Sequence, residues 1–141
     1  MAPEILHKML FAIFSLFIAR ADMKTGTVPR IAFVFALPFF FVWKTLFLGR
    51  EHLWGSALGM LTGLIVFMLV FILLKSKLGL ADVWHSALIG MVHGFWWWYI
   101  AIGAACFMGM LYIIASKKRR IPFIPFMAAG SIFASMVYCF R

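Results

Sequence analysis

The chain is almost without acid. Four of its 141 residues are carboxylates (Glu4, Asp22, Glu51 and Asp82) against thirteen Lys and Arg. Cysteine is nearly absent too: Cys106 and Cys139 stand far apart inside apolar stretches, where they read as small buried residues. With no CxxC pair, a zinc ribbon and a thioredoxin-like site are excluded. There is no HExxH to hold a hydrolytic zinc and no GxSxG to present a serine nucleophile. Internal repeats and low-complexity linkers are also missing. The formal net charge is +9, yet the basic residues fall in short clusters between apolar runs. A nucleic-acid binder gathers them on one soluble face, so no nucleic-acid partner is expected. Clusters of this kind set topology and meet anionic lipid headgroups in the bilayer.

What the chain has is hydrophobic mass. Apolar residues make up 66% of it, and its mean hydropathy is +1.07. That composition defines an integral membrane protein rather than a soluble domain. A length of 141 residues suits one compact bundle, so residues 1–141 are expected to form a single membrane-embedded domain. No small-residue cleavage pattern follows the first apolar run, which is expected to be a retained helix and not a removed signal peptide.

Six apolar segments follow in order: Ile5–Ala19, Ile31–Leu48, Leu53–Leu74, Asp82–Val92, Phe95–Ala115 and Ile121–Phe140. About 20 residues of helix cross a typical hydrocarbon core, so the third, fifth and sixth are comfortable spans and the fourth is short. Lipid offers no partner to an unpaired backbone group, and no alternating strand pattern is present. The expected fold is therefore all-α, a polytopic membrane protein of about six transmembrane helices. Arg20, Lys24 and Arg30 lie between the first two segments, Lys75 and Lys77 between the third and fourth, and Lys117, Lys118, Arg119 and Arg120 between the fifth and sixth. Basic residues in alternate loops predict that those loops are cytoplasmic, with both termini outside. Asp22 and Asp82 then share the cytoplasmic side.

Glycines recur at helical spacing. Gly55, Gly59 and Gly63 form a row on the third segment, and Gly90 and Gly94 repeat the step at the end of the fourth. Such rows let helix backbones approach in lipid. Trp96, Trp97, Trp98 and Tyr99 read as an interfacial aromatic belt on the outer side.

The two aspartates stand at the margins of apolar segments, where an ionisable residue is a functional-site hypothesis by default. As a pair on one side of the membrane, they predict a carboxylate dyad. The alternative is structural: Asp22 as a turn residue neutralised by Arg20 and Lys24, Asp82 as a helix N-cap. Their contexts are Ala21-Asp22-Met23-Lys24-Thr25-Gly26-Thr27-Val28-Pro29, a polar hairpin, and Gly79-Leu80-Ala81-Asp82-Val83, a helix entry. Ile121-Pro122-Phe123-Ile124-Pro125-Phe126 follows the last basic run.

Together these three stretches resemble the type IV prepilin peptidase family, the GxGD class of intramembrane aspartyl proteases, over almost the whole chain. That family pairs an Asp followed by Ile/Val-Pro with a second Asp in Gly-x-Gly-Asp, and carries a late Pro-Phe-x-Pro-like stretch. Here Ala81 stands in place of the second glycine, Trp84 where many relatives have Lys, and Arg30 where Asn often follows the proline. The cytoplasmic tetracysteine segment of larger, methylating members is missing, so the chain is most similar to the short, peptidase-only form. The resemblance implies catalytic Asp22 and Asp82, with Gly79, Ala81, Pro29, Pro122 and Pro125 supporting them, and no cofactor or metal. One carboxylate would take a proton from water while the other donates to the scissile carbonyl.

Helix-end electrostatics make Asp82, opening a helix, the ionised base, and Asp22, following one, the protonated acid. His85 can share the Asp82 face as an interfacial polar residue or a partner tuning Asp82, rather than as a metal ligand. His7, His52 and His93 fall toward the outer side. The implied substrate is the leader and apolar N-terminal helix of a prepilin-like protein, cut at the cytoplasmic face of a bacterial or archaeal inner membrane. A small multi-pass transporter, or a pilus or secretion assembly factor without peptidase activity, is the alternative.

Overall fold

A computed structural model describes residues 2–49, 51–74, 78–116 and 122–140. Six helices account for nearly all of them: α1 (Ala2–Thr25), α2 (Arg30–Phe47), α3 (Glu51–Leu73), α4 (Leu80–His93), α5 (Phe95–Ser116) and α6 (Ile124–Cys139). Helices α2, α3 and α5 are each long and apolar enough to cross a membrane. Their large apolar side chains are widely exposed, among them Phe35, Leu46, Ile65, Leu73, Phe107 and Ile114. In water such a surface would drive aggregation; facing lipid it costs nothing.

The helix borders follow the apolar segments closely, with one consequential difference. Asp22 was expected in a polar hairpin, but α1 runs on through it to Thr25. Nothing between Ala19 and Thr25 breaks a helix, and the stop comes from Gly26, at φ 64°. Its amide donates to the Asp22 carbonyl at 2.8 Å, the left-handed glycine ending common to helix C-termini. Thr27 and Val28 make the connection, and Pro29 at φ −64° and ψ 123° is the N-cap of α2. Proline suits that place because it has no amide to leave unpaired.

Helix α4 is the centre of the bundle. It touches each of the other five helices, and eleven of its fourteen residues are buried. The glycine rows explain how it gets there. A Cβ on Gly59 would run into the backbone of Gly90 and Gly94, and one on Gly63 would lie 2.6 Å from the Ser86 carbonyl oxygen. The α3 and α4 backbones are therefore in direct contact from Gly63 against Ser86 to Gly59 against Gly90 and Gly94, which only glycine permits. Gly130 of α6 meets the Ala101 carbonyl of α5 in the same manner. Trp98 departs from the expected aromatic belt. It is buried and donates through Nε1 to Ser86 Oγ at 3.0 Å, while Trp96 remains exposed.

At 1.5 Å per residue, α4 is only about 21 Å long and ends inside the bundle. Its last carbonyls need partners there, because none can come from solvent. The Gly94 amide, at φ 84°, takes the Gly90 carbonyl at 2.8 Å. Lys44 of α2, buried at 7% exposure, donates through Nζ to the carbonyls of Met91 at 3.1 Å and Val92 at 3.0 Å. A cation at a helix C-terminus also suits the dipole. Nearby, Lys8 Nζ pairs with Glu4 Oε1 at 3.1 Å and lies over the Tyr138 ring, 2.9 Å from its centroid. His7 and His93 are buried in the same region. The sequence reading passed over Lys44, although a lone lysine inside the Ile31–Leu48 segment was the signal for it.

Lys44→Met, which keeps the stem and removes the ammonium, is expected to lower stability by about 1–3 kcal/mol, the cost of leaving buried acceptors unpaired. Thermal unfolding of the detergent-solubilised protein measures it; a melting temperature equal to the wild type would remove the capping role.

Candidate active site

Asp82 occupies the third position of α4. Gly79, at φ −71° and ψ 142°, is the N-cap of that helix, and its amide donates to Asp82 Oδ2 at 2.9 Å. This is half of a capping box, since glycine has no side chain to return the bond. The capping alternative for Asp82 is thus partly real, but it uses one oxygen only. Asp82 is 6% exposed, and its buried Oδ1 has no hydrogen-bond partner among the described residues. A carboxylate sealed with one oxygen free is costly as structure alone.

The glycine at 79 has a local reason. A Cβ built there would lie 3.1 Å from Asp82 Oδ2, so any larger residue pushes on the carboxylate. Ala81, in place of the family's second glycine, occupies the second helical position and packs against the core. Its backbone is ordinary helix, where alanine is better than glycine. The departure at Ala81 therefore carries no strain.

Asp22 lies in the last turn of α1, half-buried, and burial raises its carboxyl above the ordinary value. The only ion pair among the described residues is that of Lys8 with Glu4. Arg20 and Lys24 are accordingly not paired with Asp22, contrary to the structural alternative. Asp22 sits near the C-terminal end of α1 and Asp82 near the N-terminal end of α4, and these two helices touch.

The remaining residues singled out in the sequence divide. Pro29 stands at the head of α2, four residues past the end of α1. Pro125 lies in the first turn of α6 and Pro122 just before it. Phe123 beside them packs on Phe67 of α3 at 6.2 Å between centroids, and Phe126 on Tyr112 of α5 at 5.5 Å. This stretch fastens α6 to α3 and α5 at the Asp82 end, and none of its recorded contacts is with an aspartate. Lys75, Lys77, Lys117, Lys118, Arg119, Arg120 and Ile121 lie outside the described residues. Among the described residues, no three His, Cys, Asp or Glu side chains come together as a metal-ligand set.

A helical bundle with apolar, membrane-length helices, one sealed carboxylate and one half-buried carboxylate near helix ends defines a membrane protein with a candidate acid–base site. The family model of the type IV leader peptidases matches residues 9–114, and the chain belongs to that family. It is a membrane protease. Asp22, Pro29, Gly79, Ala81 and Asp82 all lie within the matched stretch; Pro122 and Pro125 lie beyond it. No curated protein and no solved structure matches the chain.

Gly79→Ala is expected to lower kcat roughly tenfold by displacing the Asp82 carboxylate a few tenths of an ångström. Ala81→Gly should leave kcat unchanged and lower stability by about 0.5–1 kcal/mol. Leader cleavage by the purified variants, with thermal unfolding alongside, tests both; a fully active Gly79→Ala enzyme would show that the glycine does not shape the site.

Proposed function

We propose that the protein is an aspartyl endopeptidase that removes the N-terminal leader from prepilin-like substrates, with Asp22 and Asp82 as its catalytic pair. The observation that carries this reading is that the chain's two aspartates stand near the ends of two touching helices, α1 and α4, with Asp82 sealed and one of its oxygens unpartnered. Membership of the leader peptidase family supplies the class of substrate. The site faces the cytoplasm of a bacterial or archaeal cell from a multi-pass protein in its inner membrane. Exposed Arg20, Lys24 and Arg30 around the Asp22 end support that orientation.

The burial of the two carboxylates favours the reverse of the roles drawn from helix ends. Dipole effects at a helix end amount to about 0.3–1 kcal/mol, less than the cost of sealing a charge from water. Asp22, reached by solvent, is the ionised base that takes a proton from the attacking water. Asp82, sealed beneath it, is the protonated acid that donates to the scissile carbonyl oxygen. Water adds to the carbonyl carbon, and as the tetrahedral intermediate collapses the proton on Asp22 passes to the departing amine. Asp82 recovers its own from the hydroxyl it protonated. Neither a covalent intermediate nor a metal enters this sequence.

Asp22→Asn and Asp82→Asn are each expected to abolish processing while the protein stays folded and membrane-inserted. The measurement is a gel shift on co-expression with a protein carrying a short basic leader before an apolar helix. Either variant cleaving that substrate at near wild-type rate would end the dyad reading.

A further inference from the structure

His85 is a buried titratable group that this mechanism does not use. It follows Asp82 by three residues on α4, so the two side chains rise from one face of the helix a single turn apart. The imidazole is fully buried, and neither ring nitrogen has a hydrogen-bond partner among the described residues. Its flanks are aromatic. Phe11 of α1 stacks on it at 6.0 Å between centroids with 25° between planes, and Phe33 of α2 meets it edge-on at 6.1 Å. These rings hold the imidazole while leaving its nitrogen edge unused.

The charged surroundings are simple. The one ion pair among the described residues, Lys8 with Glu4, does not involve His85. Asp82 of its own helix and, through it, Asp22 of α1 are the acids at this end. His7 and Lys8 of α1, Lys44 of α2 and His93 of α4 act on one another at the opposite end, where His52 of α3 and Tyr138 of α6 face Glu4. A neutral imidazole always keeps one N–H to donate. One turn away lies Asp82 Oδ1, buried and equally unpartnered. Two open polar groups thus lie a turn apart on one helix face, both cut off from solvent.

We propose that His85 is a positioning residue of the peptidase site, its ring N–H donating to Asp82 Oδ1 directly or through one water. The inference rests on the two-aspartate reading above. With the Gly79 amide already on Oδ2, each oxygen of Asp82 then has one donor. Both donors strengthen as negative charge develops on the carboxylate during proton transfer to the substrate, which is how a preorganised site lowers a barrier. The same donor favours the ionised form of Asp82, so removing it must move that ionisation to higher pH.

The test compares His85→Phe with His85→Gln in detergent-solubilised enzyme, using the basic-leader substrate described above across a range of pH. Phenylalanine keeps the ring between Phe11 and Phe33 and loses the donor; glutamine keeps a donor and loses the ring. His85→Phe is expected to lower kcat roughly 10- to 100-fold, the range for losing a hydrogen bond to a charged group. KM should be unchanged and the basic limb of the pH profile should move upward, with His85→Gln retaining more activity than His85→Phe. A His85→Phe enzyme with wild-type kcat and profile would overturn the proposal. So would the opposite ranking, Phe active and Gln impaired, which marks a packing role. Asp22→Asn and Asp82→Asn run alongside. If they are inactive and His85→Phe is not, the inference fails alone; if either still cleaves, the dyad reading itself has failed.

Discussion

Everything in this bundle depends on the backbone contact between α3 and α4. A helix is usually kept from its neighbour by side chains, at 8–10 Å between axes. Here Gly59, Gly63 and Gly90 remove that spacing, and the carbonyls of one helix lie against the Cα atoms of the other. Only such contact lets a fourteen-residue helix sit at the centre and still touch all five others. Central placement in turn seals Asp82 and His85, and it puts the far end of α4 where no solvent can satisfy its carbonyls. The buried Lys44 is the consequence of that last demand. Glycine spacing on α3 thus sets the demand that Lys44 of α2 meets at the end of α4.

The roles proposed for the two aspartates follow from the unequal burial of two identical groups. Each aspartate stands at a helix end, but α1 is peripheral where it carries Asp22, and α4 is central where it carries Asp82. Water reaches one and not the other. A pair of this kind separates base from acid by environment, with no difference in residue type. Gly79 refines the arrangement by giving its amide to one oxygen and by lacking a Cβ that would crowd it.

Much of this was legible in the sequence because lipid makes hydropathy speak directly about position. The segment Phe95–Ala115 became α5, Phe95–Ser116, and the other borders moved by a few residues. The glycine rows marked faces of close backbone approach, and the structure brings Gly59, Gly63 and Gly90 together between α3 and α4. Asp22 was misplaced because its polar neighbours read as a turn, whereas a helix leaving the membrane keeps its hydrogen bonds through polar residues until a glycine stops it. Trp98 was misread because a run of tryptophans looks alike at every position; its indole finds Ser86 only through the rotation of α5 on α4. The burial of His85 and Lys44 was hidden for a similar reason. Spacing shows which residues share a face, and only packing shows which face has no way out.

The two aspartates also belong to different packing units. Helix α4 is bound most closely to α3, and α1 to α6, while α1 and α4 touch more lightly. Asp82 is fastened at its own end by Gly79 and at the far end of its helix by Lys44; Asp22 is carried on a terminal turn that ends in glycine. The two carboxylates are therefore carried by separately packed pairs of helices. Sliding one pair of helices past the other would change the spacing of the two aspartates without breaking a backbone hydrogen bond.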